Sequence, residues 1–73
     1  MFARIETFYE DNLWKNRRSS EGQVFAVFES RAEAMLAARD VALREGAEHV
    51  VRSIGGEIEQ IIFPGERPWH RVR

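Results

Sequence analysis

Hydrophobic positions change their period twice along this chain. From Phe2 to Tyr9 the pattern is close to alternating, with Ile5, Thr7 and Tyr9 on one face and Arg4, Glu6 and Phe8 on the other. That period of two is the mark of a strand. Glu10-Asp11-Asn12 reads as a polar turn, and Leu13 to Arg17 as a second short strand carrying Trp14. Arg18 to Gly22 is a turn in which Gly22 is free to take a positive φ. In the third strand, Gln23 to Glu29, Val24, Ala26 and Phe28 alternate with Phe25 and Val27. Both of its faces are apolar, which predicts a central strand or one whose second face meets a partner.

At Ser30 the period lengthens to that of a helix. Ser30 and Glu33 have capping-box spacing, which satisfies amide donors left free in the first turn. Gly46 falls where a left-handed C-terminal cap needs glycine. Between them, Ala34, Ala38, Val41 and Ala42 share one face, flanked by Ala37 and Met35. The helix is predicted to be amphipathic, with a thin apolar face that lets it lie close to a sheet. Leu36 and Leu43 fall off that face, with Ala32 beside them. They are expected in an edge contact with a loop or with Trp69 of the C-terminal segment, in a helix-mediated self-contact, or simply as a pair of exposed leucines.

The alternating period then returns. Ala47 to Ser53 is a strand centred on Val50 and Val51. Ile54-Gly55-Gly56-Glu57 suits a hairpin turn needing positive φ twice. Glu57 to Phe63 closes the pattern, with Ile58 and Ile62 on one face and Ile61 and Phe63 on the other. The order is β-β-β-α-β-β, an α+β fold: an antiparallel sheet of hairpins with one helix packed on one face. Residues 1–63 form a single compact domain, and residues 64–73 a basic tail rich in Pro, Trp and Arg.

Size sharpens the problem of the uncovered sheet face. A chain of 73 residues is one domain, and at this length it buries only roughly 60% of its unfolded surface. It has no Cys, so disulfides and thiolate metal sites are excluded. Self-association is the remaining route to extra stability. The expectation is a homodimer with a contact lined by Phe25, Val27, Ile61 and Phe63, or by Leu36 and Leu43.

Charge adds one alternative. Eleven basic residues, ten of them Arg, against 12 acidic ones leave a net charge of −1. Nothing global draws the chain to nucleic acid or to an anionic membrane. Locally, Trp14, Lys15, Arg17 and Arg18 cluster on one hairpin, and Arg67, Trp69, His70, Arg71 and Arg73 in the tail. Aromatic residues interleaved with Arg make a base-stacking platform, so a nucleic-acid-binding module is the second reading. No apolar run approaches a membrane span and the start MFARIETFYE lacks a signal-peptide pattern, so the protein is expected to be cytoplasmic.

Candidate chemistry is sparse. His49 and His70 are the only histidines, 21 positions apart and without metal-ligand spacing; His49 reads as a strand or interface histidine with a hydrogen-bond partner. Ser19, Ser20, Ser30 and Ser53 lie in no nucleophile elbow. Glu57 and Glu59 could pair for acid–base work but read better as a solvated strand edge. Gly55-Gly56 is not a phosphate loop. No catalysis, cofactor or metal is expected.

The run SRAEAMLAARDVALREGA, from Ser30 to Ala47, resembles the signature of a small uncharacterised bacterial family, domain of unknown function 2188. Its pattern is an early Trp, a strand ending in Phe, a capped helix with Ala every four residues, and a Gly-Ala. A hydrophobic strand, a Gly-containing turn and an Ile-containing strand follow. The matching positions are Trp14, Phe28, Ala34, Ala38, Ala42, Gly46, Ala47, Val50, Val51, Gly56 and Ile58, so the likeness covers about residues 14–63. Two features depart from the pattern. Phe63 to Pro68 replaces a polar segment, and Leu36 and Leu43 stand where polar residues are usual. The resemblance implies a compact α+β module and implies no activity.

Overall fold

A computed structural model of the chain describes residues 4–19 and 22–63. The elements are β1 (Arg4–Glu10), β2 (Leu13–Arg18), β3 (Gln23–Phe28), α1 (Arg31–Glu45), β4 (Glu48–Arg52) and β5 (Ile58–Ile62). The expected basic tail, residues 64–73, lies outside the described residues. No helix among the described residues is long and apolar enough to cross a membrane.

The five strands form one mixed sheet in the order β3-β2-β1-β4-β5. The expectation of an all-antiparallel sheet is corrected at its centre, where β1 and β4 pair in parallel with Ile5 opposite His49 and Thr7 opposite Val51. The cause is the helical connection. β1, β2 and β3 form an antiparallel meander, so β3 runs the same way as β1. α1 then carries the chain back along the sheet, and β4 starts from the end at which β1 starts. A crossover of this length permits a parallel pair, which a tight turn does not. The consequence is that β1 is central and β3 lies at an edge, not inside the sheet.

The turns divide their strain differently from the glycine pattern. Asp11 and Asn12, with φ of 56° and 66°, make the two left-handed positions of the β1–β2 hairpin. Short polar side chains tolerate that region because they bond locally to the backbone. At the β4–β5 turn only Gly56 is left-handed, with φ 93°.

α1 is capped as its sequence requires. The Ser30 hydroxyl accepts from the Glu33 amide at 3.0 Å. Gly46 is left-handed, and the amides of Gly46 and Ala47 both reach the Ala42 carbonyl. The helix packs on β1, β2, β3 and β4 and does not pack on β5. Ala34, Ala38 and Ala42 are fully buried. Ile5, Ala38, Ala42 and Ala47 form the core, with Phe25 and Val41 packed against them. Phe25 therefore lies on the helix side, not on the open sheet face. The expected amphipathic contrast is weak in the folded helix: its buried face is alanine, while Leu36 and Leu43 are exposed.

The open face is not bare hydrocarbon. Register and strand alternation place Glu6, Phe8, Lys15, Arg17, Val50 and Arg52 on it. The buried Glu6 carboxylate accepts from Arg17 Nε at 2.7 Å and from Arg52 Nη2 at 2.9 Å. The Arg17 guanidinium lies 4.3 Å from the centre of the Phe8 ring. Arg52 also donates to the Gly56 carbonyl at 2.9 Å, tying the distal turn to the sheet. Arg17 covers Phe8, which is buried, as is Val50. Large apolar side chains on this face become exposed only toward the edges, at Val27 on β3 and at Ile58 and Ile61 on β5.

Candidate functional site: the groove between helix and fifth strand

Because α1 stops short of β5, a groove of about 540 Å³ opens between them. Ala32, Met35, Leu36 and Arg39 line it from the helix, at i, i+3, i+4 and i+7, and Ile62 and Phe63 line it from the far side. His49 of β4 completes the lining. The helix thus uses two stripes. Alanines 34, 38 and 42 set its height above the sheet, and the stripe one position away walls the groove. Leu36 belongs to that second stripe; Leu43, also exposed, does not reach the groove. Arg31, at the first turn of α1, links the helix to β5 by pairing with Glu59.

A buried hydrogen-bond relay runs from His49, at the groove, across β1 and β2 to α1. Asn16 Nδ2 donates to the Ala34 carbonyl at 2.9 Å. That contact turns Asn16 Oδ1 toward Thr7, whose hydroxyl donates to it at 2.7 Å. The single Thr7 proton is then committed. The remaining contact, 2.8 Å between Thr7 Oγ1 and His49 Nε2, requires Nε2 to carry a hydrogen and donate. Burial holds the His49 pKa below its ordinary value, so the ring is neutral. Nδ1 is consequently a bare acceptor, and it is buried with no hydrogen-bond partner. The same directionality leaves Thr7 unactivated: its neighbour imidazole gives it a hydrogen and takes none, the reverse of what a nucleophile needs.

Among the described residues of the nucleic-acid reading, Trp14, Lys15, Arg17 and Arg18 are each engaged within the fold. Trp14 is buried, packed 5.0 Å from Tyr9 between ring centres, with the Arg31 guanidinium 5.5 Å over its ring. Lys15 pairs with Glu10 at 3.0 Å, and this bond raises its pKa. Arg17 is held by Glu6, and Arg18 by Glu45 while lying 5.1 Å over the Phe25 ring. Arg67, Trp69, Arg71 and Arg73 lie outside the described residues, as does any contact of Trp69 with the helix leucines.

The dimer residues are dispersed. Val27 and Ile61 lie at opposite edges of the open face; Phe63 and Leu36 share the groove; Phe25 packs in the core. Sequence reasoning missed Thr7, Asn16, Met35 and Arg39. The spacing 32, 35, 36, 39 was a legible signal for the groove wall. Nothing local signalled that Thr7, Asn16 and His49 converge, because they come from three strands. Among the described residues no acidic, His or Cys cluster could hold a metal ion.

A model of a family described as an uncharacterised protein conserved in bacteria, DUF2188, matches residues 5–62. Comparison with curated proteins and with solved structures gives no match.

Proposed function

The chain belongs to the uncharacterised bacterial family DUF2188, and we propose that it acts as a small protein-interaction module that self-associates through β5. The observation that carries this reading is the state of β5: it ends the sheet, and four of its five residues are exposed. An edge strand offers a row of unpaired backbone donors and acceptors. Here the row is flanked by apolar side chains, Ile58 and Ile61 on the open face and Phe63 with Leu36 beside the groove. Pairing β5 with β5 of a second copy about a two-fold axis extends the sheet and covers Ile58 and Ile61 together, leaving the groove on the helix side open. A net charge of −1 sets no large electrostatic barrier between copies.

Light scattering on a size-exclusion column tests this reading. At high micromolar protein the expected mass is twice the 8.5 kDa of one chain. Ile61→Lys, on the open face at the edge, is expected to return the mass to one chain while leaving the circular dichroism spectrum unchanged. A wild-type monomer at that concentration overturns the proposal.

A further inference from the structure

The groove has more chemistry than an association surface needs. Its walls are apolar, at Ala32, Met35, Leu36, Ile62 and Phe63. Its volume of about 540 Å³ falls within the range of small-molecule sites, roughly 300–1,000 Å³. Two polar groups break the apolar lining, and neither has a partner among the described residues. One is His49 Nδ1, on a residue only 1% exposed. The relay through Thr7 and Asn16 forces Nδ1 to be an acceptor, and a buried acceptor without a donor is costly. The other is the Arg39 guanidinium, on an exposed helix position at the rim.

We infer that this groove binds a small aromatic carboxylate bearing a hydroxyl or N–H donor: the ring lies between Met35, Leu36, Ile62 and Phe63, the donor bonds to His49 Nδ1, and the carboxylate pairs with Arg39. Each part answers a feature already present. An acceptor selects a donor and rejects a second acceptor. A lone guanidinium at a rim selects an anion and takes a carboxylate in two parallel bonds. His49 lines the groove while its Nδ1 is buried, so contact with Nδ1 needs one lining side chain to turn aside. Met35, unbranched and half-buried, is the member of the lining suited to that. The relay holds the imidazole tautomer fixed, as a recognition acceptor requires.

The inference is independent of self-association, and its test keeps the two apart. Isotope-labelled protein of all 73 residues is titrated with 4-hydroxyphenylacetate and, separately, with 4-methoxyphenylacetate, which has the same ring and carboxylate but no donor. With the hydroxy compound, amide and side-chain shifts are expected at Ala32, Leu36, Arg39, Ile62 and Phe63, together with a change at the His49 Nδ1 resonance. The methoxy compound is expected to bind at least about tenfold more weakly, the equivalent of one lost hydrogen bond. Arg39→Gln is expected to weaken the hydroxy compound by a similar factor, and this exposed substitution leaves the fold intact. Ile61→Lys is expected to bind as the unmodified chain does, whatever its mass. No binding, equal binding of the two compounds, or shifts confined to other surfaces overturns the inference.

Discussion

Thr7 Oγ1 and His49 Nε2 lie 2.8 Å apart across the parallel pair β1 and β4. Neither residue is solvent-accessible, and the contact exists only because a helical crossover sets those strands side by side. Asn16 and the Ala34 carbonyl extend the relay to the helix, so one chain of hydrogen bonds ties β4, β1, β2 and α1 together.

Breaking the relay in its middle is expected to be costly. Asn16→Ala removes the acceptor of the Thr7 hydroxyl and leaves a void beneath α1. A loss of about 2 kcal/mol is expected, since a buried polar group stripped of its partner forfeits its desolvation cost. Urea denaturation followed by circular dichroism measures it. A loss below about 0.5 kcal/mol would show that the relay contributes little.

His49 sets a pH dependence with a definite sign. Burial holds its folded pKa below the ordinary 6.5. Above pH 6.5 the ring is neutral in both states and the full stability is present. As pH falls below 6.5 the unfolded chain takes up a proton that the folded chain refuses, so stability declines. His49→Gln retains an amide donor for Thr7 and is expected to flatten that decline between pH 6.5 and 4.5. Denaturation midpoints for the two proteins across that window decide the matter; parallel curves refute the assignment.

Glu6 governs a lower window. Burial alone would raise its pKa, but the hydrogen bonds and charges of Arg17 and Arg52 outweigh that and hold it below the ordinary 4.5. Its contribution is therefore complete above pH 4.5 and is lost as pH falls through the folded value. Glu6→Gln is expected to remove this acid limb. At neutral pH it is expected to cost about 2 kcal/mol, because two partly buried guanidinium groups lose their carboxylate. An acid-unfolding profile unchanged by the substitution would count against the pairing.

The two helix stripes are expected to respond in opposite ways to substitution. Ala38 is fully buried against Ile5, so Ala38→Leu forces the helix off the sheet at about 1–3 kcal/mol. Leu36 is 67% exposed. Leu36→Gln in dilute protein is expected to change stability by less than about 0.5 kcal/mol. Thermal melts of both variants suffice to compare them, and a larger loss for Leu36 would reverse the assignment of the stripes.

Much of the fold was legible along the chain because it rests on local preferences. Ser30, Glu33 and Gly46 mark the helix ends, since capping is satisfied within a few residues. The alanine face at 34, 38 and 42 follows from the helical period alone, and all three are buried. The strands fall within two or three residues of their alternating runs. The glycine pattern misled at the turns: Asp11 and Asn12 take the paired left-handed positions that Gly55 and Gly56 suggested.

What the sequence by itself determined is thus the number, order and kind of elements, and which helix face meets the sheet. Only the tertiary structure decided which strands are neighbours. Strand order depends on the path of α1 across the sheet, and no short-range pattern encodes it. That one decision made β1 central, so Glu6 lies buried between two arginines. It put the apolar β3 and β5 at the edges and left β5 clear of the helix. It also drew Thr7, Asn16 and His49, from three strands, into one relay, with an unpartnered acceptor beside an open groove.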